Sequence, residues 1–189
     1  MATPARHVIV DRDGVLNVEP PGGGFVVDWS QWQWIPGAIE GLRMLGALGT
    51  SISVATNQSC IGRGLVGRDG IDTIHARMIE EARREGAVIN RVFVCPHAPD
   101  AACNCRKPAA GMFMAAMAAT EIPAAATIAV GDALRDVQAA HAAGIRAVLV
   151  RTGKGRQSEA ALSCATVPVF DDLRAFAAAL RSHYLPERG

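Results

Sequence analysis

The sequence predicts an α/β fold, a Rossmann-like three-layer sandwich in which helices cover both faces of a central parallel sheet. Two observations indicate this fold. Strand-like and helix-like segments alternate along the chain, and the strand-like segments are continuously apolar, as expected for strands buried on both faces. The chain has 189 residues, 50% of them hydrophobic, so we expect a single domain over residues 1–189 with a sizeable core.

The first half of the chain contains three predicted strands and two predicted helices. Short runs of apolar and β-branched residues predict strands at 7–10, 51–56 and 91–95. Apolar side chains at helical spacing predict helices at 37–48 and 68–86, the second ending at a glycine. The order strand, helix, strand, helix, strand is typical of parallel α/β units.

The second half continues the alternation of helices and strands. The predicted helices and strands are, in chain order, 109–119 (helix), 127–132 (strand), 134–144 (helix), 146–150 (strand), 167–170 (strand) and 171–183 (helix). Two stretches rich in glycine and polar residues, 19–24 and 151–160, are predicted to be flexible loops that can border a site.

Charge and hydropathy indicate what kind of partner the protein has. The 19 basic residues nearly balance the 18 acidic residues, which argues against nucleic acid or a membrane surface as the partner. No apolar stretch approaches the roughly 20 residues of a membrane span, and the start lacks the apolar region of a signal peptide. We therefore expect a cytoplasmic protein with a small-molecule partner. We also expect it to be a monomer.

Polar residues follow the predicted strands, where parallel sheets bind their ligands. They are Asp11 and Asp13 after the first strand, Thr56 and Asn57 at the end of the second, and Asp132, with Asp136 one helical turn on, after the fourth. Asp11 and Asp13 could be turn formers only. They could also both face one pocket, with Arg12 pointing away, so that one carboxylate attacks while the other moves a proton.

A third carboxylate at Asp132 would complete a set of oxygen ligands of the kind that Mg²⁺ prefers. The segment GDALRD also fits a plain helix N-terminus, where Asp132 would cap the helix and interact with its dipole. The two roles are compatible, and the sequence leaves both open.

The loop 95–108, CPHAPDAACNCRKP, holds three of the five cysteines of the chain. Its candidate metal ligands, three thiolates and one imidazole, are Cys95, His97, Cys103 and Cys105. This is the ligand set of a closed, structural Zn²⁺ site, whereas a catalytic zinc needs an open position. A disulfide is disfavoured because C-x-C neighbours are awkward to bridge and the compartment is expected to be reducing. The zinc-binding loop would carry Arg106 and Lys107 to the functional edge of the sheet.

Four motifs, DRDG, ATNQS, RKP and VGDALRD, occur in the order of the four motifs of the haloacid dehalogenase (HAD) superfamily of phosphatases. Together with the cysteine loop, they resemble its branch of heptose-bisphosphate phosphatases and the related histidinol-phosphate phosphatases. The resemblance spans about residues 8–152 and implies a member without a large mobile cap domain. It implies a Mg²⁺-dependent phosphoric monoester hydrolase of carbohydrate metabolism.

The implied substrate is a small phosphorylated sugar. The favoured reaction is hydrolysis of the C7 phosphate of D-glycero-D-manno-heptose 1,7-bisphosphate, as in the synthesis of lipopolysaccharide or other heptose-glycan precursors. By the resemblance, Asp11 would be the nucleophile that forms an aspartyl phosphate, and Asp13 the general acid and base. Asp11, Asp132 and the backbone carbonyl of Asp13 would hold Mg²⁺, with Asp136 nearby.

The resemblance also implies residues that contact the substrate. Thr56 and Lys107 would neutralise the transferring phosphoryl oxygens. The substrate-binding residues would be Asn57, Gln58, Ser59 and Arg106, together with the loop 19–26. Two positions depart from the family pattern: Ala133 stands where heptose-bisphosphate phosphatases often have a lysine, and Cys60 stands where glycine is more usual.

Two alternative functions remain open from the sequence. Histidinol-phosphate phosphatases share the motifs and the zinc loop. A non-catalytic, zinc-stabilised binding module, for instance for nucleic acid, would need a basic stripe, which the balanced charge does not supply. It would also leave Asp11, Asp13 and Asp132 unexplained.

Other conspicuous side chains receive no catalytic role from the sequence. The three tryptophans of DWSQWQW, Trp29, Trp32 and Trp34, are expected to pack under the first crossover. Cys60 is expected to be a passive small residue, with an oxidisable thiol near the site as the alternative, and Cys164 is expected to be buried. No role is assigned to the histidines outside the cysteine loop, which are His7, His75, His141 and His183.

Overall fold

The computed structural model describes residues 4–162 and 167–184, and its strands form one six-stranded parallel sheet. The strands are β1 (His7–Val10), β2 (Ser51–Asn57), β3 (Arg91–Cys95), β4 (Thr127–Gly131), β5 (Arg146–Val150) and β6 (Val169–Phe170). They lie in the spatial order β3-β2-β1-β4-β5-β6, and each neighbouring pair is parallel. The predicted parallel sheet is confirmed.

Seven α-helices are found in the described residues. They are α1 (Ala38–Ala47), α2 (Ser59–Gly62), α3 (Arg68–Arg84), α4 (Gly111–Thr120), α5 (Leu134–Ala142), α6 (Gly155–Ala160) and α7 (Leu173–Tyr184). Every predicted helix and strand is present, and no end differs from its prediction by more than two residues. Of the described helices, none is both long and apolar enough to cross a membrane.

Two short helices were not predicted. The stretch 151–160, expected to be a flexible loop, folds in part into α6, and α2 follows β2 directly. Neither helix is long enough to show the 3.6-residue repeat on which the prediction rested. α6 begins tightly against β5, because a Cβ on Gly155 would overlap the carbonyl oxygen of Val150. Cys164 lies outside the described residues.

The two faces of the sheet pack into two separate apolar cores. Along β1, Val8 and Val10 pack into the core formed with α1, α3 and α7, whereas Ile9 packs into the core formed with α4 and α5. Successive strand side chains point to opposite faces, so a continuous apolar run serves both helix layers. The three-layer sandwich predicted from the sequence is therefore confirmed.

The strand order places the polar strand ends together. It reverses between β1 and β4, and ligands of open α/β sheets bind at the carboxyl end of such a reversal. Val10 of β1 is in register with Val130 of β4, so the residues that follow them emerge side by side. Asp11 and Asp132 thus reach the same crevice, with the end of β2 next to it.

A buried histidine lies in β1, away from this crevice. His7 is fully buried, with its Nε2 2.9 Å from the hydroxyl of Ser53 and its Nδ1 3.4 Å from the hydroxyl of Thr120. Burial lowers the pKa of His7 from 6.5 to about 4. The side chain is therefore neutral at pH 7.

This shifted pKa makes the stability of the fold pH-dependent. Between pH 6.5 and about 4 the unfolded chain binds a proton at His7 that the folded chain does not, so stability is lost as the pH falls through this window. We expect the His7→Gln variant to lose less stability than wild type between pH 7 and pH 5, as measured by urea unfolding. The exposed His141→Gln is the control. Equal losses in the His7→Gln variant and wild type would contradict the assignment.

Candidate active site

A buried lysine is paired with two carboxylates in the crevice. The Nζ of Lys107 lies 2.9 Å from Oδ1 of Asp11 and 2.6 Å from Oδ1 of Asp136, and it donates to the carbonyl oxygen of Ala55 at 2.8 Å. Only 1% of the lysine side chain is exposed. Burial alone would lower the pKa of Lys107, but the two carboxylates outweigh burial and raise it. The crevice therefore contains a fixed positive charge.

The position of Lys107 is fixed through its backbone. The side chain of Asn57, at the end of β2, donates to the Lys107 carbonyl at 3.0 Å and accepts from the Lys107 N–H at 3.1 Å. This pair of hydrogen bonds ties the end of the cysteine loop to the sheet. Asn57, predicted to bind substrate, also lines the cavity, and its amide already holds the loop.

Asp132 offers an unused ligand oxygen beside these groups. Its Oδ2 accepts the backbone N–H of Lys154 at 2.7 Å, whereas its buried Oδ1 has no hydrogen-bond partner among residues 4–162 and 167–184. Carboxylate oxygens of Asp11, Asp132 and Asp136 all lie within 4.8 Å of one another. A buried, unpartnered carboxylate oxygen next to other carboxylates suits a hard cation, so the donor set fits Mg²⁺.

Burial raises the pKa of two carboxylates in the crevice. Burial raises the pKa of Asp132 to about 7, and the charges of Asp11 and Asp136 add to the effect. Burial likewise raises the pKa of Asp11 to about 6, although Lys107 partly offsets it. Both shifts show that further positive charge at this point would be favourable.

Asp136, which was expected near the metal site, contacts Lys107 and the backbone of α5. Its Oδ1 is paired with Lys107, and its Oδ2 accepts the backbone N–H of Ala133 at 3.0 Å, which caps α5. The helix cap that the sequence allowed for Asp132 is thus made by Asp136. Because both oxygens of Asp136 are engaged, Asp11 and Asp132 are the better candidates for binding a metal.

Two glycines confine the carboxylate of Asp132. Gly14 and Gly153 have φ values of +86° and +55°, and a Cβ on either residue would overlap Oδ2 of Asp132. Side chains other than hydrogen are disfavoured at such φ values, and here there is also no room for one. The loops after β1 and β5 therefore close around the candidate metal ligand.

Asp13 is surrounded by hydrogen-bond donors. Its Oδ1 accepts from Arg12 (Nη2 at 2.8 Å, Nε at 3.2 Å) and from Asn17 at 3.0 Å. Its Oδ2 accepts from Gln58 at 2.7 Å and lies 3.4 Å from the hydroxyl of Thr56. Burial alone would raise the pKa of Asp13, but the charge of Arg12 and these hydrogen bonds lower it. In this arrangement Asp13 is an ionised carboxylate.

The sequence allowed Arg12 to point away from a pocket shared by Asp11 and Asp13, and in the structure its side chain is directed at Asp13. The guanidinium turns back to form the ion pair with Asp13 and is buried, 1% exposed. Burying a guanidinium requires charged and polar partners, and Asp13 is the nearest carboxylate. Gln58, predicted to bind substrate, is likewise directed at Asp13 and donates to the Thr56 hydroxyl at 2.8 Å.

A polar cavity of about 210 Å³ opens onto these groups. Asp11, Asp13 and Thr56 line its floor, and the predicted residues Ser59 and Arg106 line its wall. Glu19, from the loop 19–26 that was predicted to bind substrate, lines the cavity as well. Further lining residues, which were not predicted as substrate-binding residues, are Arg63, Arg135 and Lys154. The wall therefore carries four cations, and one of them, Lys154, is paired with Glu19.

Two of these cations, Lys154 and Arg135, differ in how firmly their side chains are held. The Nζ of Lys154 lies 2.6 Å from a carboxylate oxygen of Glu19. Arg135 has a buried Nε without a hydrogen-bond partner in the described part of the chain. The sequence signals for both were weak: Lys154 lies in a stretch predicted to be a loop, and Arg135 lies inside VGDALRD, where the aspartates carried the prediction. A cavity with this wall suits an anionic ligand.

The cysteine loop brings its four candidate ligands together. Their ligand atoms all lie within 4.8 Å of one another. The Sγ of Cys95 is 3.9 Å from that of Cys103 and 3.3 Å from that of Cys105, and the Nδ1 of His97 is 3.2 Å from the Sγ of Cys105. Tetrahedral Zn²⁺ with Zn–S bonds of about 2.3 Å separates its sulfur ligands by roughly 3.8 Å. The four residues could therefore bind zinc.

Comparison with protein families gives one match in the second half of the chain. A HAD-hydrolase-like family model matches residues 104–176.

Comparison with individual proteins extends over nearly the whole chain. A D-glycero-beta-D-manno-heptose-1,7-bisphosphate 7-phosphatase of Pseudomonas putida is 36% identical over 172 residues, 91% of this chain and 97% of the relative. The protein of the same name from Bordetella bronchiseptica is 39% identical over 153 residues, 81% of this chain and 84% of the relative. A crystal structure of D,D-heptose 1,7-bisphosphate phosphatase from B. bronchiseptica, complexed with magnesium and phosphate, has a TM-score of 0.89 and 36% identity. That likeness covers 94% of this chain and 99% of the other.

Loss of metal from the cysteine loop is expected to affect Lys107. Cys105 precedes Lys107 by two residues, so a loop without metal would hold this lysine less firmly. We expect Cys105→Ser to lose bound zinc, measured by elemental analysis, and to lose about 100-fold in kcat/KM, the scale of a 1 Å misplacement. Cys60→Ala, which alters a cysteine outside the cluster, should keep its zinc. A folded, zinc-free Cys105→Ser protein with full activity would refute the link.

The two glycines that enclose Asp132 are expected to be necessary for Mg²⁺ binding. Gly153→Ala should displace the Asp132 carboxylate and weaken Mg²⁺ binding at least tenfold, as measured by calorimetric titration. Gly144→Ala is a matched control, since Gly144 also has a positive φ (+70°) but a Cβ there meets nothing within 4 Å. Gly144→Ala should lose about 1 kcal/mol of stability from backbone strain. Gly153→Ala should lose more, because its Cβ would also lie 2.6 Å from the Cα of Gly14. Equal Mg²⁺ affinities in the two variants would contradict the proposed cradle.

Proposed function

We propose that this chain, which belongs to the family of the D-glycero-beta-D-manno-heptose-1,7-bisphosphate 7-phosphatases, removes the C7 phosphate of a heptose 1,7-bisphosphate. Within the HAD hydrolases it is a Mg²⁺-dependent phosphatase. The observation that carries the proposal is the buried Lys107 between Asp11 and Asp136, beside the unpartnered oxygen of Asp132. A phosphoryl group can meet a nucleophile, a cation and a metal site at this one point.

In the first step, a carboxylate oxygen of Asp11 attacks phosphorus and a P–O bond to Asp11 forms. The P–O bond to the sugar breaks, and Asp13 donates its proton to the departing sugar oxygen. Lys107 and the hydroxyl of Thr56 stabilise the negative charge on the phosphoryl oxygens. Asp11, Asp132 and the backbone carbonyl of Asp13 would hold Mg²⁺, which would supply further positive charge next to those oxygens.

In the second step, water attacks the phosphorus of the aspartyl phosphate. Asp13 accepts a proton from this water while the P–O bond to Asp11 breaks, so inorganic phosphate leaves and the Asp11 carboxylate is restored. Asp13 must be protonated at the start of the cycle, although its neighbours lower its pKa in the free protein. A bound phosphate brings negative charge next to Asp13, which favours its protonated form.

The charge of the cavity favours a bisphosphate over histidinol phosphate. The wall carries Arg63, Arg106, Arg135 and Lys154 against the single carboxylate of Glu19. A second phosphate would be attracted to this wall, and the planar guanidinium of Arg106 can bind it through two hydrogen bonds. The ammonium group of histidinol phosphate would be repelled. Arg135 also supplies a cation two residues from Ala133, where relatives often have a lysine.

We also propose that residues 1–189 form one domain and that the protein works as a cytoplasmic monomer without nucleic acid or membrane as partner. The near balance of 19 basic and 18 acidic residues supports a small-molecule partner. Size-exclusion chromatography with light scattering tests the monomer. A binding module without catalysis is disfavoured, because it would not need the carboxylate cluster around Lys107.

The function is tested by phosphate release from purified protein with Mg²⁺. We expect kcat/KM for the heptose 1,7-bisphosphate to exceed that for histidinol phosphate at least 100-fold, because the second phosphate and the ammonium group interact oppositely with the cavity wall. Asp11→Asn should lower kcat by at least about 10⁴-fold, since no nucleophile remains, with an unchanged circular dichroism spectrum. Asp69→Asn, an exposed aspartate of α3, is the control.

Two results would contradict this function. One is faster hydrolysis of histidinol phosphate than of the heptose bisphosphate. The other is turnover by Asp11→Asn at a rate comparable to wild type, which would exclude an aspartyl phosphate at this position.

A further inference from the structure

Arg12 is one of the largest fully buried side chains of the protein, and the phosphoryl chemistry above does not use it. Its Nε and Nη2 both donate to Oδ1 of Asp13. Its Nη1 lies 3.1 Å from Nε2 of His75, a buried residue of α3, and its guanidinium lies 5.8 Å from the ring centroid of Trp32. A buried cation with this many defined contacts is held in one orientation.

We propose that Arg12 and His75 are positioning residues that hold Oδ1 of Asp13, so that Oδ2 is left to exchange the proton with the leaving group and with water. The inference rests on the proposed function, because it concerns the general acid of that same reaction. It assigns a role in catalysis to α3, a helix that contributes no group to the floor of the cavity.

The geometry of the ion pair supports this assignment. Two N–H groups of one rigid plane converge on Oδ1, which fixes the position of this oxygen. With Gln58 donating to Oδ2 at 2.7 Å, contacts at both oxygens then define the plane of the Asp13 carboxyl group. The other oxygen, Oδ2, then faces Gln58 and the hydroxyl of Thr56 at the end of β2. Thr56 lines the cavity floor, so Oδ2 is the Asp13 oxygen directed toward the reacting phosphate.

His75 holds the other side of the guanidinium. Burial, followed by the nearby charge of Arg12, lowers the pKa of His75 to about 3, so the ring is neutral and its Nε2 can accept from Nη1 of Arg12. The α3 residues Ile71 and Ile74 are buried in the apolar cluster that contains Cys60 and Val26, which anchors this part of the helix. Without His75, a buried N–H of Arg12 would lose its acceptor, which is costly enough to shift the guanidinium.

The test compares two substrates that differ in their need for an acid. A sugar phosphate leaves as a poorly stabilised alkoxide and needs a proton, whereas the nitrophenolate of 4-nitrophenyl phosphate is a stable anion and leaves without one. The parameter kcat/KM reports only the steps up to cleavage of the ester, before the aspartyl phosphate is hydrolysed. A misplaced Asp13 should therefore lower kcat/KM selectively for the sugar phosphate.

We expect Arg12→Met to lower kcat/KM about 100-fold for the heptose bisphosphate, the scale of a lost general acid, and less than about 5-fold for 4-nitrophenyl phosphate. Arg12→Lys keeps the charge but loses the two-pronged contact, and should show the same split. It carries the test if Arg12→Met does not fold. His75→Leu should lower kcat/KM about 10-fold for the heptose bisphosphate and leave 4-nitrophenyl phosphate nearly unchanged. His75→Gln should return kcat/KM for the heptose bisphosphate toward the wild-type value, because its amide oxygen can accept from Arg12.

The control is Arg84→Gln, which removes an exposed arginine at the far end of α3 and should change neither substrate. Equal losses on both substrates, or no loss on either, in folded Arg12 and His75 variants would overturn the proposal, since a merely structural role does not distinguish leaving groups. A wild-type protein that hydrolyses neither substrate would instead refute the proposed function.

Discussion

The site depends on one interaction: the buried ammonium group of Lys107 between the carboxylates of Asp11 and Asp136. An unpaired charge in such a place would be costly, so each of these ions requires the others. The lysine comes from the cysteine loop, Asp11 from β1 and Asp136 from α5. Forming this ion triad therefore joins three parts of the chain that are distant in sequence, and it places a positive charge beside Asp11 at the carboxyl end of the sheet.

The surroundings of the ion triad divide the remaining tasks. Two features fix the backbone position of Lys107. They are the cysteine loop, whose ligand set fits zinc, and the two hydrogen bonds from the Asn57 side chain to the Lys107 backbone. Asp136 joins the ion triad to the first turn of α5 through its hydrogen bond to the N–H of Ala133. Asp132, enclosed by two glycines, keeps one oxygen available for a cation. Rigid placement of charge is what phosphoryl transfer requires most.

The sequence was informative wherever short-range patterns decide the structure. The strands and long helices follow from local periodicity, and the cysteine spacing indicated the ligand group that the structure brings together. The contacts of Arg12 were not predictable in this way, because His75 lies 63 residues further along the chain. Its orientation depends on how α3 packs beside β1, which no local pattern encodes. The cations Arg63 and Arg135 were missed for the same reason, since only the fold brings them to one cavity wall.

The central claim, that the buried lysine is the cation that binds the phosphoryl group, is tested most directly by calorimetric titration of inorganic phosphate in the presence of Mg²⁺. Wild type and Lys107→Met are compared, with circular dichroism to confirm folding. The account predicts that the variant binds phosphate about 100-fold more weakly, the scale of losing one charge-assisted contact in a buried site. Equal phosphate affinities for the two folded proteins would contradict it.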